Sequence, residues 1–169
     1  MLSRSQFLDL AGMDLELFKT LARRDQLPFE ARDERRQRGN YTPMEAYMTR
    51  LAVKLVEDSH VARDFAAWVP RQAVQKMWKE WNRIAGIISD PGTPHMFCGA
   101  YSGDFYVPGP YNASSFCVSW EDLAAIRSKN RLIDGLVMVN ASTVAFAVHH
   151  IAKEKGIDLG DFWTWPANA

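Results

Sequence analysis

This 169-residue sequence has little cysteine, no long apolar run and no net charge. Its 2 cysteines, Cys98 and Cys117, are too few for a disulfide scaffold. Its richest apolar stretch, residues 136–148, contains polar side chains and is shorter than the roughly 18 residues of a membrane span. Acidic side chains interrupt the apolar N-terminus, so we expect no signal peptide and a cytoplasmic protein.

The charge is balanced overall, with 20 Lys and Arg against 20 Asp and Glu. This balance excludes a uniformly basic protein that coats nucleic acid, but it allows a module with a local basic surface. Residues 1–54 carry 10 basic and 8 acidic side chains, and the rest of the chain carries 10 and 12. Hydrophobic residues make up 47% of the sequence, which is usual for a folded globular chain.

Capping signals divide the N-terminal third into three short helices. Ser3 is an N-cap for the first helix, and Gly12 ends it. Asp14 caps the second helix, which ends before Pro28 because the residue preceding proline disfavours helical geometry. The segment 42–45, Thr-Pro-Met-Glu, starts the third helix. Thr42 is the cap, Pro43 is at the first helical position, and the side chain of Glu45 can reach back to the cap residue.

The second of these helices has two distinct faces. Its apolar stripe consists of Leu17, Phe18, Leu21 and Ala22. Its polar face consists of Lys19, Thr20, Arg23 and Arg24. Two short helices joined by a tight glycine turn are the arrangement that places a second helix in the DNA major groove, where arginine binds guanine bidentately. We therefore expect this polar face to contact DNA.

Residues 29–40 are highly charged and almost free of apolar side chains. They are expected to form an exposed loop or a β-hairpin with a turn near Gly39-Asn40. If this segment is a wing beside the helix-turn-helix, its basic residues would bind the phosphate backbone. Those residues are Arg32, Arg35, Arg36 and Arg38. A charge run of this kind is otherwise a solvated surface.

Two segments, residues 11–29 and residues 40–55, resemble the winged helix-turn-helix domain of MerR-type regulators and the related excisionases. Their sequences are AGMDLELFKTLARRDQLPF and NYTPMEAYMTRLAVKL. The likeness covers about a third of the chain. It rests on a glycine turn, a basic residue in the recognition helix, a Leu-Pro wing entry and a Tyr-Thr helix start, which are Gly12, Lys19, Leu27-Pro28 and Tyr41-Thr42.

The resemblance implies that Lys19, Arg23, the wing arginines and Tyr41 contact DNA. The chain departs from the family pattern at two places. Asp25-Gln26 stands where the family usually has Gly-Leu before the wing. Gly39 stands where the family usually has an arginine two residues before the tyrosine.

The rest of the chain mixes helix and strand patterns. Residues 61–87 are helical in pattern, interrupted by Pro70. Aromatic and β-branched runs predict strands at 95–101, 104–107 and 114–120. A capped helix begins at Ser119 with Asp122, a buried strand covers 132–139, and a last helix runs from near Ser142 to Gly156. These elements predict an α+β unit.

This unit contains candidate residues for two other kinds of site. His95, Cys98, Cys117 and the His149-His150 pair could bind a metal, although cysteines in apolar strands usually behave as small core residues. The 6 tryptophans with Tyr101, Phe105, Tyr106 and Tyr111 could line an effector pocket or form core and subunit interface. No phosphate loop, nucleophile elbow or zinc-binding histidine motif is present.

We predict an α+β protein with two domains, a winged helix-turn-helix DNA-binding domain at residues 1–60 and an α+β dimerisation or effector domain at residues 61–169. A single small domain buries limited surface on DNA, so specific binding normally uses two copies on a symmetric operator. The predicted function is a homodimeric transcription regulator that binds double-stranded DNA, without enzymatic activity, metal or cofactor. The alternatives are a protein-interaction adaptor or phage-type accessory protein that uses the C-terminal domain, and a small aromatic-pocket enzyme in residues 90–169.

Overall fold

The structure is a computed structural model that describes residues 1–30, 40–103, 110–129 and 133–160. These residues form seven helices and three strands, and this mixed architecture confirms the expected α+β class. The helices are α1 (Arg4–Ala11), α2 (Leu15–Arg23), α3 (Pro43–Ser59), α4 (Arg63–Lys79), α5 (Trp81–Gly86), α6 (Trp120–Lys129) and α7 (Ala141–Glu154). The strands are β1 (Met96–Gly103), β2 (Ser114–Ser119) and β3 (Ile133–Asn140).

The predicted caps start the first three helices. Ser3 forms a capping box at α1, and Gly12 ends this helix in the left-handed region at φ 70°. The Asp14 carboxylate accepts a hydrogen bond from the backbone of α2 at 2.7 Å. At α3 the Thr42 hydroxyl and the Glu45 carboxylate accept reciprocal bonds from each other's backbone N–H at 3.1 and 2.7 Å. These interactions satisfy backbone donors that a helix N-terminus leaves unpaired.

The chain is helical through Pro70, contrary to expectation. Helix α4 contains Pro70 in its interior, and the break falls later, at Glu80. An interior proline removes one backbone hydrogen bond and costs about 3 kcal/mol. Val69 and Pro70 are both buried where α4 packs against α3, β1 and β2. Tertiary packing therefore overrides the local preference.

The three strands form an antiparallel sheet in the order β2-β1-β3. Cys98 in the central strand lies opposite Cys117 on one side and Val139 on the other, so these three side chains share the inner face. Residues of the alternate set, such as Phe97 and Tyr101, point to the outer face. The strand expected at 104–107 lies outside the described residues.

The starts of the last two helices agree with expectation. The hydroxyl of Ser119 accepts a bond from the backbone of Asp122 at 3.2 Å, as expected for the cap of α6. Helix α7 begins at Ala141, close to the expected start near Ser142, and its cap is Asn140, whose side chain accepts from Thr143 N at 2.9 Å. The Ser142 hydroxyl accepts a bond from the backbone of Met96 in β1 at 3.0 Å. This hydroxyl joins the helix to the sheet.

The hydrophobic core is continuous across the expected domain boundary at residues 60 and 61. Buried side chains from Leu2 to Leu159 belong to one cluster. Helix α3 lies in the middle and contacts α1, α4, α7 and β3. The Tyr47 hydroxyl donates to the backbone carbonyl of Ala141 at 3.0 Å, which connects the two predicted domains. The two segments share one core in the described part of the chain, so α2 is held by residues from both.

Both cysteines are free and buried on the inner face of the sheet. Burial raises the pKa of the Cys117 thiol to about 12, with the nearby Glu80 charge acting in the same direction. Burial also raises the pKa of Cys98 well above its usual value. Because the thiolate is the reactive and metal-binding form, both side chains behave as core residues at neutral pH.

Candidate nucleic-acid interface

Helices α1 and α2 are joined by a tight turn at Gly12. A Cβ atom at this position would lie 2.8 Å from the Arg50 guanidinium of α3, and the left-handed φ of 70° also favours glycine. The same guanidinium donates to the backbone carbonyl of Leu10 at 3.0 Å. Burial lowers the pKa of Arg50, and the charge of Glu57 opposes that shift. Arg50 thus fixes the end of α1 against α3.

An aromatic cluster supports the underside of α2. It consists of Phe7 from α1, Phe18 from α2, Phe29 and Tyr41. The ring of Phe7 lies 5.6 Å from Phe18, 5.9 Å from Phe29 and 4.4 Å from Tyr41, measured between centroids. The Phe7–Phe18 contact is edge to face, a favourable geometry for aromatic pairs. This cluster holds α2 against α1 and against the start of α3.

The opposite side of α2 carries the predicted DNA-contacting residues. Lys19, Arg23 and Arg24 are exposed, and Thr20 is half-buried. Their spacing places them on the helix surface away from Phe18 and Leu21, which are buried. The structure therefore brings all four residues of the predicted contact face to one accessible side of one helix.

Acidic side chains reduce the positive charge of this surface. The Lys19 amino group lies 2.8 Å from the carboxylate of the exposed Glu16. An exposed ion pair of this type contributes little stability, so an incoming phosphate can replace Glu16 at small cost. Arg23 donates from Nε to the backbone carbonyl of Lys19 at 3.3 Å, which leaves its terminal nitrogens for a ligand. Arg24 is the C-terminal cap residue of α2 and is exposed.

The segment 25–29, which leads from α2 towards the arginine-rich stretch, is held by Arg71 of α4. The Arg71 guanidinium donates to the carbonyls of Leu27 and Phe29 at 2.8 and 3.3 Å. It also lies 3.6 Å from the Asp25 carboxylate. Sequence reasoning missed Arg71 and Arg50 as positioning residues, because each acts on a backbone carbonyl about 40 positions away.

The departure from the family pattern at Asp25 has a structural counterpart. Asp25 adopts φ 51°, in the left-handed region where glycine is the usual residue. Aspartate is among the few other residues that tolerate this conformation. The left-handed turn after α2 is therefore made without a glycine.

Tyr41 is not on the accessible surface. Only 5% of the residue is exposed, and its ring lies in the aromatic cluster. Its backbone N–H and carbonyl pair with Leu2 at 3.1 and 2.7 Å. The DNA contact implied for Tyr41 is replaced by a core role, since the side chain packs against three phenylalanines. The predicted contacts Arg32, Arg35, Arg36 and Arg38 lie outside the described residues.

The metal candidates of the C-terminal part do not come together. Cys98 and Cys117 face the core, whereas His95 directly precedes the central strand β1, with its Nδ1 2.5 Å from the Asn140 amide. His150 pairs with Glu154 at 3.2 Å. Within the described ranges, no group of three His, Cys, Asp or Glu side chains is close enough to hold a metal ion.

The aromatic candidates among the described residues fall into separate clusters. Tyr111 packs on Phe65 and Trp68 and donates to the Asp64 carboxylate at 3.0 Å, while Tyr101 packs on Phe116. Phe105 and Tyr106 lie outside the described residues. An apolar cavity of about 130 Å³ is found elsewhere, between α2, α3 and the start of α4.

No protein-family model, curated protein or solved structure matches this chain. Among the described residues, no helix has both the length and the apolar character needed to cross a membrane. The features of the molecule that bear on function are therefore the geometry of the α1–α2 pair and the chemistry of its exposed face.

Proposed function

We propose that this protein is a cytoplasmic transcription regulator that binds double-stranded DNA sequence-specifically as a homodimer, with α2 as its recognition helix. The single observation that carries the proposal is the exposed face of α2. Lys19, Thr20, Arg23 and Arg24 lie there together, on a helix braced from below by the aromatic cluster. Arginine binds guanine bidentately and lysine binds phosphate or guanine, so this set suits the major groove.

Rigid support of α2 favours this proposal over a solvated surface helix. Arg50 fixes the end of α1, and Arg71 fixes the segment after α2. A recognition helix has to be positioned accurately because base contacts are short and directional. The resemblance to MerR-type domains points to the same function. It adds the prediction that the arginines of residues 29–40 bind the phosphate backbone.

Replacing Arg23 with alanine tests base recognition by α2. A preferred duplex is first selected from a random-sequence pool with the wild-type protein, and binding is then measured by fluorescence anisotropy. Because one bidentate arginine contact discriminates by about 1–3 kcal/mol, we expect Arg23→Ala to weaken binding to the selected duplex about tenfold or more. Binding to random duplex should change much less. By contrast, Arg36→Ala should weaken binding to both duplexes and reduce the salt dependence.

Arg83→Ala is the matched control, since Arg83 is an exposed arginine on α5, outside the α1–α2 pair. It should leave both affinities unchanged. Equal losses on selected and random duplex from Arg23→Ala would contradict base recognition by this residue. If the wild-type protein enriches no sequence, or does not bind duplex DNA at low salt, the proposed function itself is contradicted.

We propose that the homodimer forms through the C-terminal part, at strand β3. This strand is at the edge of the described sheet, so one side of its backbone has no strand partner there. An unprotected edge pairs readily with another strand. The residues 133–140 contain no lysine, arginine or proline that would guard the edge, and Leu136 is 43% exposed. Two copies of β3 would extend the sheet across a twofold axis.

Leu136→Lys tests this interface, because a charge on the outer face of an edge strand opposes pairing. We expect sedimentation equilibrium to show a wild-type dimer at micromolar concentration and a dissociation constant raised about tenfold or more in the variant. Phe146→Lys is the control, since Phe146 is 45% exposed but lies on α7. Equal effects from both variants would contradict a β3 interface. A monomeric wild type, with and without DNA, would contradict the homodimer.

The alternative function, a protein-interaction adaptor, is favoured by one observation. Trp120, Leu136 and Phe146 are large apolar residues of the C-terminal part with exposures of 57%, 43% and 45%. Large exposed apolar side chains mark a protein-binding surface where they form one contiguous patch. If Leu136→Lys leaves the oligomeric state unchanged while DNA binding is absent, the adaptor becomes the better description.

A further inference from the structure

The apolar cavity beside α2 takes no part in the proposed DNA contacts. It has a volume of about 130 Å³ and opens between α2, α3 and the first turns of α4. Its apolar wall is formed by Leu17 and Leu21 from the underside of α2, by Ala52, Val53 and Val56 from α3, and by Ala66 from α4. A ligand in this cavity would contact α2 on the side opposite to its exposed basic face.

The volume sets the size of a fitting ligand. An apolar cavity of about 150 Å³ is known to hold benzene. A cavity of 130 Å³ that opens to solvent on one side therefore accepts one six-membered ring or a short branched chain. A polar substituent on such a ligand would sit at the opening.

The opening of the cavity carries free hydrogen-bond donors. Arg63 and Gln26 line it, and within the described residues neither side chain has a hydrogen bond or an ion pair. Glu57 also lines the opening, and its carboxylate lies 3.1 Å from the Lys54 amino group, which Asp58 shares at 3.0 Å. The positive charge at the opening is the Arg63 guanidinium, which has no carboxylate partner among the described residues and binds a carboxylate well.

We propose that this cavity binds a small hydrophobic monocarboxylate, with its ring or branched chain on the apolar wall and its carboxylate at Arg63 and Gln26. As an extension that rests on the proposed function, this ligand is an effector of DNA binding. Leu17 and Leu21 belong to the same helix as Arg23, so a ligand that packs against them changes the free energy of moving α2. Ligand and DNA are then coupled through one element.

Benzoate is the probe, with benzamide as its neutral counterpart and benzylamine as its cationic one. Binding is measured on the full chain without DNA, from methyl chemical-shift changes in NMR spectra during titration up to about 10 mM, a range that covers the affinities expected of so small a ligand. We expect saturable shifts at the methyl groups of Leu17, Leu21, Val53 and Val56. Benzoate should bind at least about fivefold more tightly than benzamide, and benzylamine should bind least, because only the carboxylate pairs with Arg63.

Two variants test the location of the site. Arg63→Gln should reduce benzoate affinity to that of benzamide and leave benzamide unchanged, whereas Arg83→Gln should change neither. Ala52→Leu places a larger side chain in the cavity and should abolish binding of all three probes. Arg63 is exposed, so its variant remains informative even if Ala52→Leu fails to fold. Absence of saturable shifts for benzoate, or equal affinity of Arg63→Gln and wild type, would overturn the site.

The effector role is tested separately with the selected duplex. Saturating benzoate should change the DNA affinity at least about threefold, and DNA should change the benzoate affinity by the same factor, because coupling is reciprocal. Ala52→Leu, if folded, should bind DNA without any response to benzoate. Benzoate binding without a change in DNA affinity would overturn the effector role but would not contradict the binding site. Failure of DNA binding with intact benzoate binding would instead contradict the proposed function.

Discussion

Gly99→Ala is expected to destabilise the protein by about 3 kcal/mol or more, because the central strand has no room for a methyl group at this position. A Cβ atom there would lie 2.7 Å from the ring of Phe116 and 2.8 Å from the Cα atom of Met138. It would also collide with the backbone carbonyl of Val137 in β3. A side chain can rotate away, but the backbone of a paired strand cannot. The measurement is chemical denaturation followed by far-ultraviolet circular dichroism.

Gly135→Ala is the matched control in the same sheet. Among the described residues, a Cβ atom at Gly135 would meet the Ser102 hydroxyl alone, at 3.0 Å, so we expect a change well below that of Gly99→Ala. The double variant Gly99→Ala with Phe116→Leu removes the ring contact but leaves the backbone contact. The free energy of unfolding of this double variant should therefore not rise above that of Gly99→Ala. Recovery in the double variant, or equal effects at both glycines, would show that the backbone approach is not the cause.

Phe7→Ala is expected to cost about 3–5 kcal/mol of stability and to weaken DNA binding as well. Phe7 is fully buried, and its ring contacts the three other members of the aromatic cluster. Alanine would leave a cavity directly below Phe18, which positions α2. Helix α2 would lose its brace although none of its exposed residues has changed. Denaturation measures the first effect, and anisotropy with the selected duplex measures the second.

Two controls separate these effects. Phe7→Leu keeps most of the buried volume and should cost less than about 1.5 kcal/mol. Phe146→Ala removes an exposed ring on α7 and should change stability within about 0.5 kcal/mol. DNA binding of Phe7→Ala has to be measured at a temperature where circular dichroism shows the variant folded. If that folded variant binds the selected duplex as tightly as wild type, the aromatic cluster does not position α2 for DNA.

The helix starts were predictable because their signals are local. Each cap accepts a hydrogen bond from a backbone N–H three positions later, as at Ser3, Asp14 and Thr42. The two residues that form each cap therefore lie within a few positions of each other in the sequence. The exposed face of α2 was predictable for the same reason, since the spacing of Lys19 and Arg23 relative to Phe18 follows from helical periodicity alone. All residues of the polar face of the candidate site belong to one short segment of the chain.

The positioning residues of the site were not predictable. Arg50 bonds to a carbonyl 40 positions away, and Arg71 bonds to one 44 positions away. Neither residue stands in a motif, and each would pass for an ordinary exposed arginine on a helix. Tyr41 shows the opposite error, because a family pattern that suggested a DNA contact could not indicate how many rings surround it. Pro70 likewise lies inside a helix that its neighbours stabilise.

Residue order along the chain determined the helices of the N-terminal third, the α+β class and the residues that α2 exposes, because hydrogen bonds and periodicity within a few positions specify them. Tertiary structure alone decided that both predicted domains share one core, that α2 rests on aromatic rings, and that an apolar cavity lies beneath it. Those features arise where distant segments meet, as at Tyr47 and Ala141, which are 94 positions apart. Contacts of that kind depend on the packing of the whole chain, and local sequence patterns carry no signal for them.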